Sequence, residues 1–228
     1  MVTIQWAYIS RQFWLGEMLR WQKDSTTTEC ARTFFRERLC AAMVGARSFL
    51  TDRDCWRQHM MLNPETGGDP DGGIRMRASS GFEAVDYFMG NYWVFGKMIE
   101  NLADVGYTPS EMTVAPYDWR LAFPILEQRD GYFTKLKSTI EAMHAASGGK
   151  KVVLTSHSMG VLVVHYFFAW VTSPKGGGGG GGGQNWVDQH IHAYVNIAGS
   201  HLGVPKAVTS FRRPFSWLRS GLFRRPCS

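Results

Sequence analysis

The residues best suited to covalent chemistry lie around Ser158. The run Lys151-Val152-Val153-Leu154-Thr155-Ser156-His157-Ser158-Met159-Gly160 is apolar and β-branched until it reaches a serine with a small residue two positions to either side. Where a strand turns sharply into a helix, bulky side chains at those flanking positions collide, so the pattern G-x-S-x-G presents a serine hydroxyl for nucleophilic attack. Ser156 takes the place of the first glycine. Residues 152–155 read as a buried strand and 161–171 as an apolar helix, the context the pattern needs. The plain alternative is a turn serine ahead of a buried helix. Acyl transfer also needs donors for a developing oxyanion and a base oriented by an acid. The backbone N–H of Met159 is one candidate donor, because the first amides of a helix are unpaired and the dipole there favours negative charge. The other is expected from a loop after an earlier strand, and Phe82, in Gly81-Phe82 just after a strand at 74–78, occupies that place.

Other reactive side chains read as structural. In Tyr117-Asp118-Trp119-Arg120 a carboxylate next to a guanidinium, just past a strand end, has its charge committed to an ion pair. Asp118, Trp119 and Arg120 are therefore expected to brace the active-site loop rather than to act on substrate. His157, His165, His190, His192 and His201 read as structural or exposed, and the His190-x-His192 pair is too weak a pattern for a metal site. No metal and no cofactor is expected.

The elements that must position these groups alternate. A helical reading suits 1–20, whose Ile4, Tyr8, Gln12, Leu15 and Leu19 give a partial face, either interfacial or buried. Residues 63–73 are a Pro- and Gly-rich loop. A strand at 74–78 precedes a helix at 92–102, and a strand at 112–115 precedes a helix at 132–145. The serine-bearing strand and helix follow, then a flexible glycine insertion at 176–183 and a strand at 192–198. Strands separated by helices pair in parallel, which predicts an α/β sheet covered on both faces.

Composition bounds the rest. With 228 residues and 44% hydrophobic content the chain suits one sizeable domain. The net charge of +6 owes much to Arg212, Arg213, Arg219, Arg224 and Arg225 near the C-terminus, interleaved with Phe215, Trp217 and Phe223, a tail suited to an anionic membrane surface or simply solvated. No motif supports nucleic-acid binding. Neither a secretory signal nor an apolar run long enough to span a bilayer is visible. Cys30, Cys40, Cys55 and Cys227 allow three fully paired arrangements, and their count alone does not choose among them.

Three motifs in order carry a resemblance: Ala115-Pro116-Tyr117-Asp118-Trp119-Arg120-Leu121, Ser156-His157-Ser158-Met159-Gly160, and Asn196-Ile197-Ala198-Gly199-Ser200-His201-Leu202-Gly203-Val204-Pro205-Lys206-Ala207. Together they resemble the lecithin:cholesterol acyltransferase family, most of all its phospholipid:diacylglycerol acyltransferase branch, over about Cys30 to Val208. The resemblance implies an α/β-hydrolase-type, mostly parallel sheet with helices on both faces, incomplete at its C-terminal end and carrying a lid-like insertion near the N-terminus. It divides the chain into an unaligned aromatic-rich segment (1–28), a lid-like cap (29–73), a partial core (74–208) and a basic tail (209–228). It implies Ser158 as the catalytic nucleophile, oxyanion donors at the amides of Phe82 and Met159, and a Cys30–Cys55 disulfide closing the lid. The implied reaction moves an acyl group from a phospholipid through an acyl-serine to diacylglycerol, giving triacylglycerol at the endoplasmic reticulum or another lipid-bearing membrane. A phospholipase or lipase, or a non-catalytic lipid-binding fragment, are the alternatives. The family's acid and histidine follow the serine, and no downstream Asp or His matches them, so the chain by itself is expected to turn over little.

Overall fold

The computed structural model describes residues 2–7, 19–21, 53–78, 80–82, 85–89 and 92–205. The Cys30 end of the expected disulfide, the basic tail, and most of the 1–28 and 29–73 segments lie outside the described residues.

A parallel sheet organises the rest. Its four strands are β1 (Val2–Ala7), β6 (Met112–Val114), β7 (Val152–Ser158) and β8 (Ile191–Ile197), in the order β6-β1-β7-β8. Between β6 and β7 the chain forms α3 (Phe123–Asp130) and α4 (Tyr132–Ala146), and between β7 and β8 it forms α5 (Gly160–Thr172) and α6 (Trp186–His190). The sheet is covered on both faces at β7, as adjacent residues of that strand show. Val152 joins the cluster built by Phe133, Leu136, Ile140, Phe167 and Trp186 from α4, α5 and α6, whereas Val153 joins Val85, Phe95 and Met98 on the other side. Successive side chains of a strand point to opposite faces, so the two clusters must lie on the two sides.

Several readings from the sequence are corrected. Val2–Ala7 is a strand and not part of a helix. It lies between β6 and β7, with Val2 opposite Met112 on one side and Val153 on the other. Its β-branched Val2, Thr3 and Ile4 suit extended backbone, and hydrogen-bonding partners on both sides outweigh the partial helical spacing. The strand β3 (Met76–Ala78) is not in the parallel sheet; it pairs antiparallel with β2 (Leu19–Trp21). Tyr92 and Trp93, read as the start of a helix, form β5, which pairs with β4 (Tyr87–Met89), and the helix α2 begins only at Gly96 and runs to Asp104. Aromatic residues favour strand pairing when a partner is at hand.

The glycine run, expected as a flexible insertion, packs against the end of α5. A 3-10 turn at Lys175–Gly177 leads the chain back along the end of α5, where the amides of Gly180 and Gly182 donate to the carbonyls of Trp170 (2.7 Å) and Val171 (2.8 Å). A Cβ on Gly180 would lie 2.5 Å from the Trp170 ring, and one on Gly182 2.7 Å from Trp186. Glycine is needed here for close approach, and the segment completes the C-terminal end of α5. Gly180→Ala is expected to destabilise the fold by about 1–3 kcal/mol through overpacking. Gly176→Ala, where a Cβ meets nothing within 4 Å, should stay within about 0.5 kcal/mol of the parent. Urea denaturation of the two variants checks this, and equal midpoints would contradict it.

Candidate active site

At the C-terminal end of β7 the backbone makes the turn its sequence suggested. Ser158 has φ of 52°, in the left-handed region that costs a non-glycine residue about 1–3 kcal/mol. Met159 follows with φ −62° and ψ −21°, and α5 begins at Gly160. Neighbouring segments hold this conformation. Ala7 of β1 lies in register with Ser158, and the amide of Ser200 donates to the Ser158 carbonyl at 3.4 Å. Ser158 is half-buried. Ser156 is fully buried, and its Oγ shares a 2.5 Å hydrogen bond with Tyr194 Oη on β8. That partner makes a hydroxyl acceptable where the motif ordinarily has glycine, since a buried polar group costs little once paired.

The loop after β8 is shaped in a similar way. Ala198 has φ of 49°, and a Cβ on Gly199 would come within 2.1 Å of Asn196 Oδ1, so a side chain there is excluded. Asn196 Nδ2 lies 2.6 Å from His201 Nε2, whose ring centre is 4.9 Å from that of His165. The sequence singled out 196–207 as a motif but not as a neighbour of Ser158; the strand end at β8 was the available signal.

The two expected oxyanion donors have different supports. Met159 stands at the N-terminal end of α5, where helix amides lack intrahelical acceptors, and its side chain packs against the larger core cluster together with Trp119. Phe82 follows β3, which lies outside the parallel sheet, so no sheet strand directs its amide toward Ser158. Its position comes from packing instead. The Phe82 ring lies against the cluster of Val85, Phe95 and Met112, and the Phe95 ring meets His157 edge-on at 6.1 Å. Burial lowers the His157 pKa, which favours a neutral imidazole next to the serine.

Asp118 is fully buried and accepts from two guanidinium groups. Arg120 Nε reaches Oδ1 at 2.9 Å and Nη2 reaches Oδ2 at 2.7 Å, while Arg129 Nη2 reaches Oδ2 at 2.9 Å. Arg129 continues to Asp130 and Asp69, and Arg77 binds Asp69 through both oxygens at 2.8 and 2.7 Å. Three aspartates thus face three arginines. Burial raises the Asp118 pKa, but the hydrogen bonds and charges of Arg120, with the charge of Arg129, outweigh it and hold the carboxyl below its usual range. Arg120 Nη1 also donates to the carbonyls of His59 (3.0 Å) and Met60 (3.4 Å), at the end of α1 (Arg53–Met60). The network therefore ties α1, the 61–73 loop, β3 and α3 to the loop after β6. Sequence reasoning found Asp118 and Arg120 but missed Asp69, Arg77, Arg129 and Asp130, which are far from them in sequence or lie in unpatterned loops.

Among the described residues no helix is long and apolar enough to cross a membrane. A family model described as lecithin:cholesterol acyltransferase matches residues 34–213. The phospholipid:diacylglycerol acyltransferases of Schizosaccharomyces pombe and Saccharomyces cerevisiae are each 48% identical over 181 residues, 79% of this chain and 28% and 27% of their own lengths. Phospholipid:diacylglycerol acyltransferase 1 of Arabidopsis thaliana is 47% identical over 180 residues, 79% of this chain and 26% of its own length. The chain thus spans little more than a quarter of the length of each of these three relatives.

Proposed function

Because the chain belongs to the lecithin:cholesterol acyltransferase family, we propose that Ser158 is the nucleophile of an enzyme that moves an acyl group from a phospholipid to diacylglycerol. The observation that carries this reading is the left-handed turn of Ser158 between β7 and α5, in a chain nearly half identical to proteins so named. Ser158 Oγ attacks the phospholipid ester carbonyl and gives its proton to a base. The oxyanion is held by the amides of Met159 and Phe82, then collapses, and the lysophospholipid leaves with a proton. The acyl-serine is next attacked by the diacylglycerol hydroxyl, which loses its proton as the Ser158 oxygen regains one, and triacylglycerol leaves. The acid and base partners of Ser158 are assigned to the part of the relatives' sequence that this chain does not match.

Transfer exceeds hydrolysis only where water is kept from the acyl-serine. That role falls to the 29–73 cap, which Arg120 anchors through the last carbonyls of α1 and which a Cys30–Cys55 disulfide closes, a loop constraint of about 3 kcal/mol in the chain-entropy model. Exposed Met61, Trp93, Leu202 and Val204 favour work at a lipid surface, such as that of the endoplasmic reticulum. Incubating the full-length protein with acyl-labelled phospholipid and diacylglycerol in vesicles tests the assignment. Labelled triacylglycerol is expected. Labelled free fatty acid as the sole product would make the enzyme a phospholipase, and no product with vesicle binding intact would leave a lipid-binding protein.

A further inference from the structure

Away from Ser158, two imidazoles from different helices meet. His144 lies in the last turn of α4 and His190 ends α6, and their ring centres are 5.0 Å apart with planes inclined by 54°. Two imidazoles on one tetrahedral ion have a similar spacing: with metal–nitrogen bonds of about 2.0–2.1 Å, each ring centre sits about 3.2 Å from the metal and the two centres about 5 Å apart. The His190 ring is also held in a ligating tautomer. Its Nδ1 is 2.9 Å from the Trp186 carbonyl oxygen, which can only accept, so Nδ1 carries the proton and Nε2 keeps its lone pair. Stacking on the Trp186 indole, 4.5 Å between centres and 17° between planes, limits rotation of the ring. Trp186 is itself fixed, buried to 2% exposure with its Nε1–H donated to Glu141 Oε1 at 2.8 Å.

Electrostatics at this place favour a cation. Glu141 stands one turn before His144 on α4, but Lys137, 2.8 Å from its Oε1, already neutralises its charge, so the field comes from the helix ends. Both histidines lie at helix C-terminal ends, where the dipoles present negative potential. The pair at His165 and His201 is less suited, because Asn196 already engages His201 Nε2 and both rings are exposed.

We propose that His144 and His190 form a two-imidazole site for a transition metal of the zinc class, joining the C-terminal turns of α4 and α6. Among the described residues no three His, Cys, Asp or Glu converge, so the protein supplies two ligands, one fewer than an open zinc site with a single free position, and water fills the remaining positions. Its place is scaffold, not catalytic centre. Ile191, next to His190, pairs with Val152 at the start of β7, and Ser158 is at the other end of that strand, about 20 Å away at the usual rise per residue.

Calorimetric titration of zinc chloride into the metal-free chain at neutral pH tests the site. One ion per chain is expected, with a rise in melting temperature. His144→Ala and His190→Ala should each weaken uptake at least about tenfold and remove the thermal shift. His165→Ala should leave both unchanged. The His144 variant decides the matter, because His190→Ala also removes the stacking on Trp186. Absence of uptake, or zinc binding by His144→Ala as tight as in the parent, would overturn the proposal.

Discussion

Replacing Ser158 by alanine is expected to abolish acyl transfer by the full-length protein, with a loss on the order of a million-fold, the size seen when a serine nucleophile is removed from a well-studied hydrolase. The fold should be indifferent to this change, since alanine and serine pay similar costs for the left-handed φ of 52°. Ser158→Gly separates the two roles of the residue. Glycine adopts this backbone without penalty, so that variant should be equally inactive and yet more stable by about 1 kcal/mol, the strain held by the turn. Covalent labelling with a fluorophosphonate, read by intact mass, and thermal denaturation measure both effects. Labelling that persists in Ser158→Ala would place the nucleophile elsewhere. A Ser158→Gly protein less stable than the parent would show that the turn stores no strain.

Asp118→Asn is expected to cost about 3–5 kcal/mol at neutral pH, because it leaves Arg120 and Arg129 buried without their shared counter-charge. Their side chains are only 4% and 10% exposed, so water cannot take over the lost contacts. Removing Arg120 as well, in Asp118→Asn with Arg120→Met, should recover part of the loss, since what is costly is the unpaired charge rather than the missing bond. The pH dependence follows from the lowered Asp118 pKa. The unfolded chain takes up a proton on this carboxyl at a higher pH than the folded protein does. The stabilisation is therefore complete above the usual carboxylate range, near pH 4, and is lost as pH falls through the lower folded value. Asp69 is lowered in the same direction; burial opposes the shift, and its hydrogen bond to Arg77 leads the groups that outweigh it. The parent should lose stability steeply below pH 4, and Asp118→Asn less steeply. Urea unfolding at several pH values tests both statements, and a loss under 1 kcal/mol at pH 7 would mean that the network does not anchor the end of α1.

How much the sequence disclosed depended on how local the signal was. The β7–α5 turn was legible because its requirements fall within a dozen consecutive residues: a buried strand, small neighbours about the serine, and an apolar helix. The helix at 132–145 was read almost to its observed end, Ala146, because Phe133, Leu136, Ile140 and Met143 all face one cluster. The ion pair of Asp118 and Arg120 was legible for the same reason, being two residues apart.

What escaped the sequence depended on partners distant along the chain. Whether residues 2–7 form a strand was decided by two flanking strands that begin at Met112 and Val152, and whether β3 joins the main sheet was decided by its pairing with 19–21. The glycine run reads as flexible by composition, and only the packed structure shows that side chains are excluded at Gly179, Gly180 and Gly182, which lie against Ser173, Trp170 and Trp186. The sequence alone determined that a serine is offered at a strand-to-helix bend, since short-range sterics and periodicity suffice for that. The tertiary structure decided what surrounds the bend: the strand beside Ser158, the carboxylates and guanidiniums that hold α1, and the two histidines at the opposite end of the sheet. Those contacts join residues dozens of positions apart, and hydrogen-bond pairing and close packing in three dimensions leave little local trace.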